Sequence, residues 1–192
     1  MKIARLASSY GSDVAGLAAP FFAMAEARLG PAPFGPAAQG LVELADRVGF
    51  EPTDEALRDA LADAFESKRF PPGFGVPFRE RDERSDGLES SLRRHGRWDG
   101  PYVRLYRRIV EQVRAKKWPE PNITLISAAA FLDAGFAVHE IVPIMHVAAI
   151  PSFQANAVEE SQLRSPALRC LPLDWIEDRS PPLRRTKPPR SP

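Results

Sequence analysis

Apolar residues recur at helical spacing along nearly the whole chain, and no useful length of it alternates with the period of two that a strand requires. Ser12 is placed to cap a helix running to about Leu29, with Leu17, Phe21, Met24 and Leu29 among its apolar residues and Pro20 as an expected kink. Pro36 opens a second helix, whose Leu41, Leu44, Ala45 and Val48 fall at i, i+3, i+4 and i+7 before Gly49 ends it. Pro52-Thr53-Asp54-Glu55 is a helix start, followed by Leu57, Ala60, Leu61, Ala64 and Phe65 on one face. Gly73-Phe74-Gly75 and the charged run from Arg79 to Arg84 read as loop. Helices resume from Ser85 to about Arg94 and from Pro101 to Lys117. In the second of these Val103, Tyr106, Val110 and Val113 form the buried stripe, while Arg104, Arg107, Arg108 and Arg114 lie outside it. Asn122 caps a helix from Ile123 to about Ala134, stopped by Gly135, whose Ala128-Ala129-Ala130 run suits close helix contact. Shorter helices are expected over residues 140–149 and 152–162. The pattern predicts an all-α protein without internal repeats.

Composition narrows the class. The 192 residues are 44% hydrophobic and 27% charged, which suits a packed domain rather than a disordered chain. A net charge of +1 exerts no general pull toward nucleic acid or a membrane. The single cysteine, Cys170, excludes an intrachain disulfide and points to a reducing cytoplasm. The first residues lack the apolar core of a secretion signal, and no run is expected to reach the length of a membrane span. Of the 20 prolines, five lie between Pro181 and Pro192 among arginines and a lysine. That basic tail is expected to be solvated and disordered.

Polar clusters offer little independent chemistry. His139 and His146, with Glu140 beside the first, supply two metal ligands and no third, so no metal site is expected. His95 falls at a helix end where its charge suits the dipole, and Cys170 has no partner that would activate it.

Several short segments carry a family likeness. Pro72-Gly73-Phe74-Gly75-Val76 followed by Asp82-Glu83-Arg84 resembles the citrate synthase turn, Gly-aromatic-Gly-His, and the Asp-Pro-Arg after it. Arg5-Leu6-Ala7-Ser8-Ser9, the Gly30-Pro31 segment through Gly35, Pro121-Asn122-Ile123-Thr124, and Leu132 to Phe136 resemble other family segments in the same order. The resemblance implies the all-α citrate synthase fold, cut short. Residues 34–118 would be the small domain, 1–33 and 119–180 parts of the large one, and 181–192 the tail.

The resemblance also implies where chemistry would sit. The family's condensation of acetyl-CoA with oxaloacetate uses one carboxylate base and two histidine donors. The corresponding positions hold Thr124, Pro33 and Val76, none of which supplies that chemistry. General acid–base groups contribute roughly 10²–10⁴ in rate, and oxyanion donors a similar amount. Losing all of them implies essentially no synthase activity. The family's upstream Asp-His-x-x-Asn has no counterpart, and Ser165 and Ala167 occupy the arginine positions of its Arg-Pro-Arg.

What the resemblance retains is a CoA-facing turn, with Pro72, Gly73, Phe74 and Gly75 receiving CoA or an acyl-CoA through the backbone, Arg79 near its phosphates, and Arg84 as a surviving carboxylate clamp. It further implies a partner, either a second copy or another citrate synthase-like chain. The implied protein is a non-catalytic subunit; the alternative is an active citrate synthase or citryl-CoA lyase formed by two chains.

Overall fold

The computed structural model describes residues 2–10, 13–24, 30–66, 72–76 and 81–162. Expectations for Ser12, Leu29, Arg79, Ser165, Ala167, Cys170 and the basic tail lie outside them. Among the described residues every regular element is a helix: α1 (Lys2–Tyr10), α2 (Asp13–Ala23), α3 (Phe34–Val48), α4 (Asp54–Glu66), α5 (Glu83–Arg94), α6 (Pro101–Ala115), α7 (Ile123–Asp133) and α8 (Val138–Ser161). An isolated antiparallel bridge joins Phe74 and Pro121.

Helix α7 is central. It is apolar on every side, and Thr124 to Ala129 are all buried, as a helix surrounded by others requires. Helices α3, α5 and α6 pack against it, and α8 touches it more lightly. Ala128 and Ala129 are fully buried, the close contact their small size permits. The predicted stripe of α6 is buried, and Leu105 and Ile109 join it. Leu41 and Ala45 of α3 and Leu57 and Leu61 of α4 complete one hydrophobic core, which Ile141 of α8 also enters. Thr53 Oγ1 accepts a hydrogen bond from Ala56 N (3.2 Å) and opens α4 as its sequence predicts.

A second group consists of α1, α2 and α8. Gly16 sits so close to Ala157 that a Cβ there would approach that residue to 2.7 Å. Ser8 donates to the Ala157 carbonyl (3.0 Å), and Arg5 reaches Asn156 (3.0 Å) and the buried Glu160 (3.7 Å).

Four boundaries differ from those read in the sequence. Helix α1 precedes the first predicted helix; its buried face consists of Ala4 and Ser8, too small to stand out as a hydrophobic stripe. Helix α3 starts at Phe34, two residues before the proline expected to open it. Helix α5 starts at Glu83, because Asp82 caps it and converts the end of the expected loop into helix.

The two short C-terminal helices are one, α8, with Pro143 and Pro151 inside it. Each proline removes a helical hydrogen bond at a cost of about 3 kcal/mol in an ordinary helix interior. Both rings, and the residues one turn earlier whose carbonyls they leave free, lie on the exposed side. Packing by α1, α2 and α3 holds the other side continuous. By length and composition alone α8 could cross a membrane, with a mean hydropathy of 1.3 over its most apolar window, so the expectation that no run is long enough is corrected.

Candidate functional site

The glycine turn is built against the start of α7. Gly73 and Gly75 adopt φ of +97° and +74°, the left-handed region that glycine enters at little cost. The pairing around Phe74 and Pro121 rests on Asn122 N donating to Gly73 O (2.8 Å) and Gly75 N donating to Glu120 O (2.8 Å). Asn122 then works twice. Its Oδ1 accepts from Thr124 N (2.9 Å), capping α7 as predicted, and its Nδ2 donates to Gly75 O (2.8 Å). Phe74 packs edge-on against Phe65 of α4, which stacks on Trp118 at 4.8 Å. The turn is therefore held by backbone hydrogen bonds and aromatic contacts.

Asp82 joins the next two elements. Its carboxylate is buried and accepts from Arg84 N (3.2 Å), Arg84 Nε and Nη2 (2.8 Å each), and Ile123 N at the start of α7 (2.9 Å). Burial alone would push its pKa up. The Arg84 hydrogen bonds, the Ile123 N–H and the guanidinium charge outweigh burial and hold it below the usual carboxylate value. Arg84, whose own pKa is raised chiefly by its hydrogen bond to Asp82, is thus engaged through two of its nitrogens while its side chain remains largely exposed. An incoming carboxylate would meet only the remaining donors.

The charged surround is similarly paired. Arg114 of α6 grips Glu120 with two bonds of 3.0 Å, which lowers the Glu120 pKa and steadies the carbonyl that receives Gly75 N. Tyr106 donates to Glu89 (3.1 Å), and burial followed by the Glu89 charge pushes its hydroxyl far above the ordinary phenol value, so it is no base.

Of the three positions that the resemblance assigns to catalysis, Val76 and Thr124 belong to the turn and to the helix it is built against, and Pro33 stands before α3. Thr124 is in the first turn of α7 and buried; Val76 is half-buried at the end of the turn; Pro33 precedes α3, where its carbonyl accepts from Ala37 N (3.1 Å). None presents a carboxylate or an imidazole. Beside the turn lies an apolar groove of about 370 Å³, walled by Pro36, Leu41 and Leu44 of α3, Leu61 of α4, and Pro72 and Phe74 of the turn. At its rim Arg47 is paired with Asp63 (2.8 Å). Of the residues assigned to CoA and substrate, Pro72 to Gly75 lie together on this groove or in its turn, whereas Arg84 is turned onto Asp82. His146 packs on Phe21 (5.3 Å), and no group of three metal-binding side chains occurs among the described residues.

Asp82, Glu120 and Arg114 order the site, yet their roles were not legible as such. The one signal was an Asp two residues before the arginine and directly ahead of a helix.

No protein-family model matches the chain, and no curated protein does. Among solved structures it is similar to the citryl-CoA lyase from Hydrogenobacter thermophilus, with a TM-score of 0.69 and 21% identity, covering 98% of this chain and 70% of that one. At this identity the likeness is one of fold, and it shows the expected all-α citrate synthase-like architecture.

Proposed function

We propose that this chain is a non-catalytic citrate synthase-like subunit of the cytoplasm that receives CoA or an acyl-CoA on the 72–76 turn and pairs with a second citrate synthase-like chain. The observation that carries this reading is the contrast within one site. The backbone of the turn is pinned in place by three hydrogen bonds to the segment before α7, while the positions for base and donors hold Thr124, Val76 and Pro33. Backbone recognition needs only the turn; proton transfer needs the missing side chains. The groove beside Phe74 offers apolar surface to the ligand.

Calorimetry with CoA and acetyl-CoA, beside an assay of CoA release from acetyl-CoA plus oxaloacetate and of citryl-CoA cleavage, tests it. Binding without turnover is expected. Gly75→Val should abolish binding, because a β-branched residue is strained at φ +74°. Turnover by the purified chain alone would sink the reading.

Pairing is supported by the α1, α2 and α8 group. Val14 and Phe22 of α2 are each 74% exposed, and Val147 of α8 is 61% exposed. Only 17% of the most apolar window of α8 is buried. An exposed apolar surface of this kind ordinarily marks an interface. Val147→Asp should leave the melting temperature unchanged and shift sedimentation from dimer toward monomer, or release the partner chain on co-purification. A wild-type chain that sediments as a monomer and co-purifies with no such partner would refute the pairing.

The second reading, lyase or synthase activity assembled from two chains, is favoured by the fold likeness to a citryl-CoA lyase. It requires that turnover appear on adding the partner and vanish with Gly75→Val.

A further inference from the structure

Farther along α7, a second groove of about 500 Å³ opens between α5, α7 and α8. It begins at Ser127, one helical turn beyond Thr124, and shares no lining residue with the groove beside the glycine turn. Its walls are aliphatic and aromatic: Leu88 and Leu92 from α5, Ala130 and Phe131 from α7, and Met145 from α8. All but Ala130 are partly buried side chains resting on the main core, with apolar surface left over. The volume falls in the range of small-molecule sites, about 300–1,000 Å³.

Two ionic groups border it, and they are not equivalent. The Asp133 carboxylate is committed: Oδ1 accepts from Tyr102 N (2.8 Å) and Oδ2 from Val103 N (2.9 Å), capping α6. Arg97 is exposed, and its guanidinium has no ion pair or hydrogen bond among the described residues. Its neighbours Arg94 and His95 are also exposed and without ion pairs there, whereas Arg93 lies 4.0 Å from Glu89 and covers the Trp98 ring.

The position of Arg97 is built by the end of α5. Gly96, at φ +65°, reverses the chain; its N–H donates to Arg93 O (3.2 Å), and Arg97 N donates to Leu92 O (2.8 Å). This six-to-one closure brings the residue after the glycine back over the residue that accepts its N–H. Ordinarily that residue is apolar. Here it is an arginine, whose aliphatic stem can lie along Leu92 and leave the charged end at the mouth of the groove.

We propose that this groove binds an aliphatic carboxylate, its chain along Leu88, Leu92, Phe131 and Met145 and its carboxylate on Arg97. An apolar body and one anionic end complement the aliphatic walls and the cation at the groove's mouth. The site is separate from the glycine turn and stands or falls independently of acyl-CoA binding there.

Octanoate titrated into the intact 192-residue chain, followed by the NMR signals of the Leu88 and Leu92 methyl groups, is the direct test. From butyrate to octanoate, affinity should rise about three- to fourfold per methylene, the equivalent of about 0.8 kcal/mol each. Arg97→Gln should weaken octanoate about tenfold and leave octanol unchanged. Ala130→Leu should block both, and circular dichroism establishes that each variant is folded. Arg97 is exposed, so its variant reports even where the Ala130 variant does not fold. Methyl signals unmoved by millimolar octanoate, equal binding of octylamine and octanoate, or an Arg97→Gln protein that binds octanoate as the wild type does would each overturn the proposal.

Discussion

Replacing Gly100 by alanine should destabilise the protein by about 2–4 kcal/mol, a large effect for one added methyl group. A Cβ at residue 100 would lie 2.1 Å from Asp133 Oδ2 and 2.4 Å from its Cγ. The carboxylate would have to swing away and abandon the N–H groups of Tyr102 and Val103. Loss of such a cap costs about 0.5–2 kcal/mol, and forcing extra volume into a packed site typically costs about 1–3. Asp133 occupies the last residue of α7, where a negative charge opposes the dipole of its own helix. Its place there is explained by the service it performs for α6.

A double-mutant cycle separates the causes. Asp133→Ala alone should cost about 1–2 kcal/mol. In that background Gly100→Ala should cost clearly less, since the carboxylate is gone and only the Cβ of residue 133, 2.9 Å away, remains for the new methyl group to strike. Denaturant unfolding of the four proteins measures the coupling. Equal costs of Gly100→Ala in both backgrounds would refute the contact as the cause.

Asp82→Ala should cost about 2–4 kcal/mol, because it strands the Ile123 N–H and uncaps α5 in one step. The exposed side of the ion pair adds little, since Arg84 is mostly in water. Asp82→Asn should cost less, retaining one acceptor while losing the charge that Arg84 engages.

The same pair predicts the response to acid. The folded pKa of Asp82 is depressed, so its stabilisation is complete above the ordinary carboxylate value of about 3.9 and is lost as pH falls through the lower folded value. The melting temperature should therefore decline below about pH 4, and less steeply in Asp82→Asn. Parallel declines in wild type and Asp82→Asn would remove Asp82 as the source.

How far the site was legible depends on whether its parts act through neighbours in the chain. Asn122 was readable as a cap because its acceptor contacts Thr124 N, two residues away. Its amide bond to Gly75, 47 positions distant, was not. Arg84 illustrates the complementary case. Family likeness directs its guanidinium to a substrate carboxylate, while the fold supplies Asp82 as a closer one. Helix α8 shows the same limit in local structure, since Pro151 reads as a break and only α1, α2 and α3, from distant parts of the chain, hold the helix continuous.

By itself, the order of apolar and polar residues determined the helical class and most helix boundaries. These follow from spacing and side-chain chemistry, which are local properties. Tertiary structure alone decided that Asp82 ties α5 to α7, that Asp133 caps α6, that α8 is one helix, and that Arg97 stands above an apolar groove with no ion pair among the described residues. Each depends on groups far apart in sequence meeting at hydrogen-bond or van der Waals distance, and no periodicity along one segment encodes that meeting.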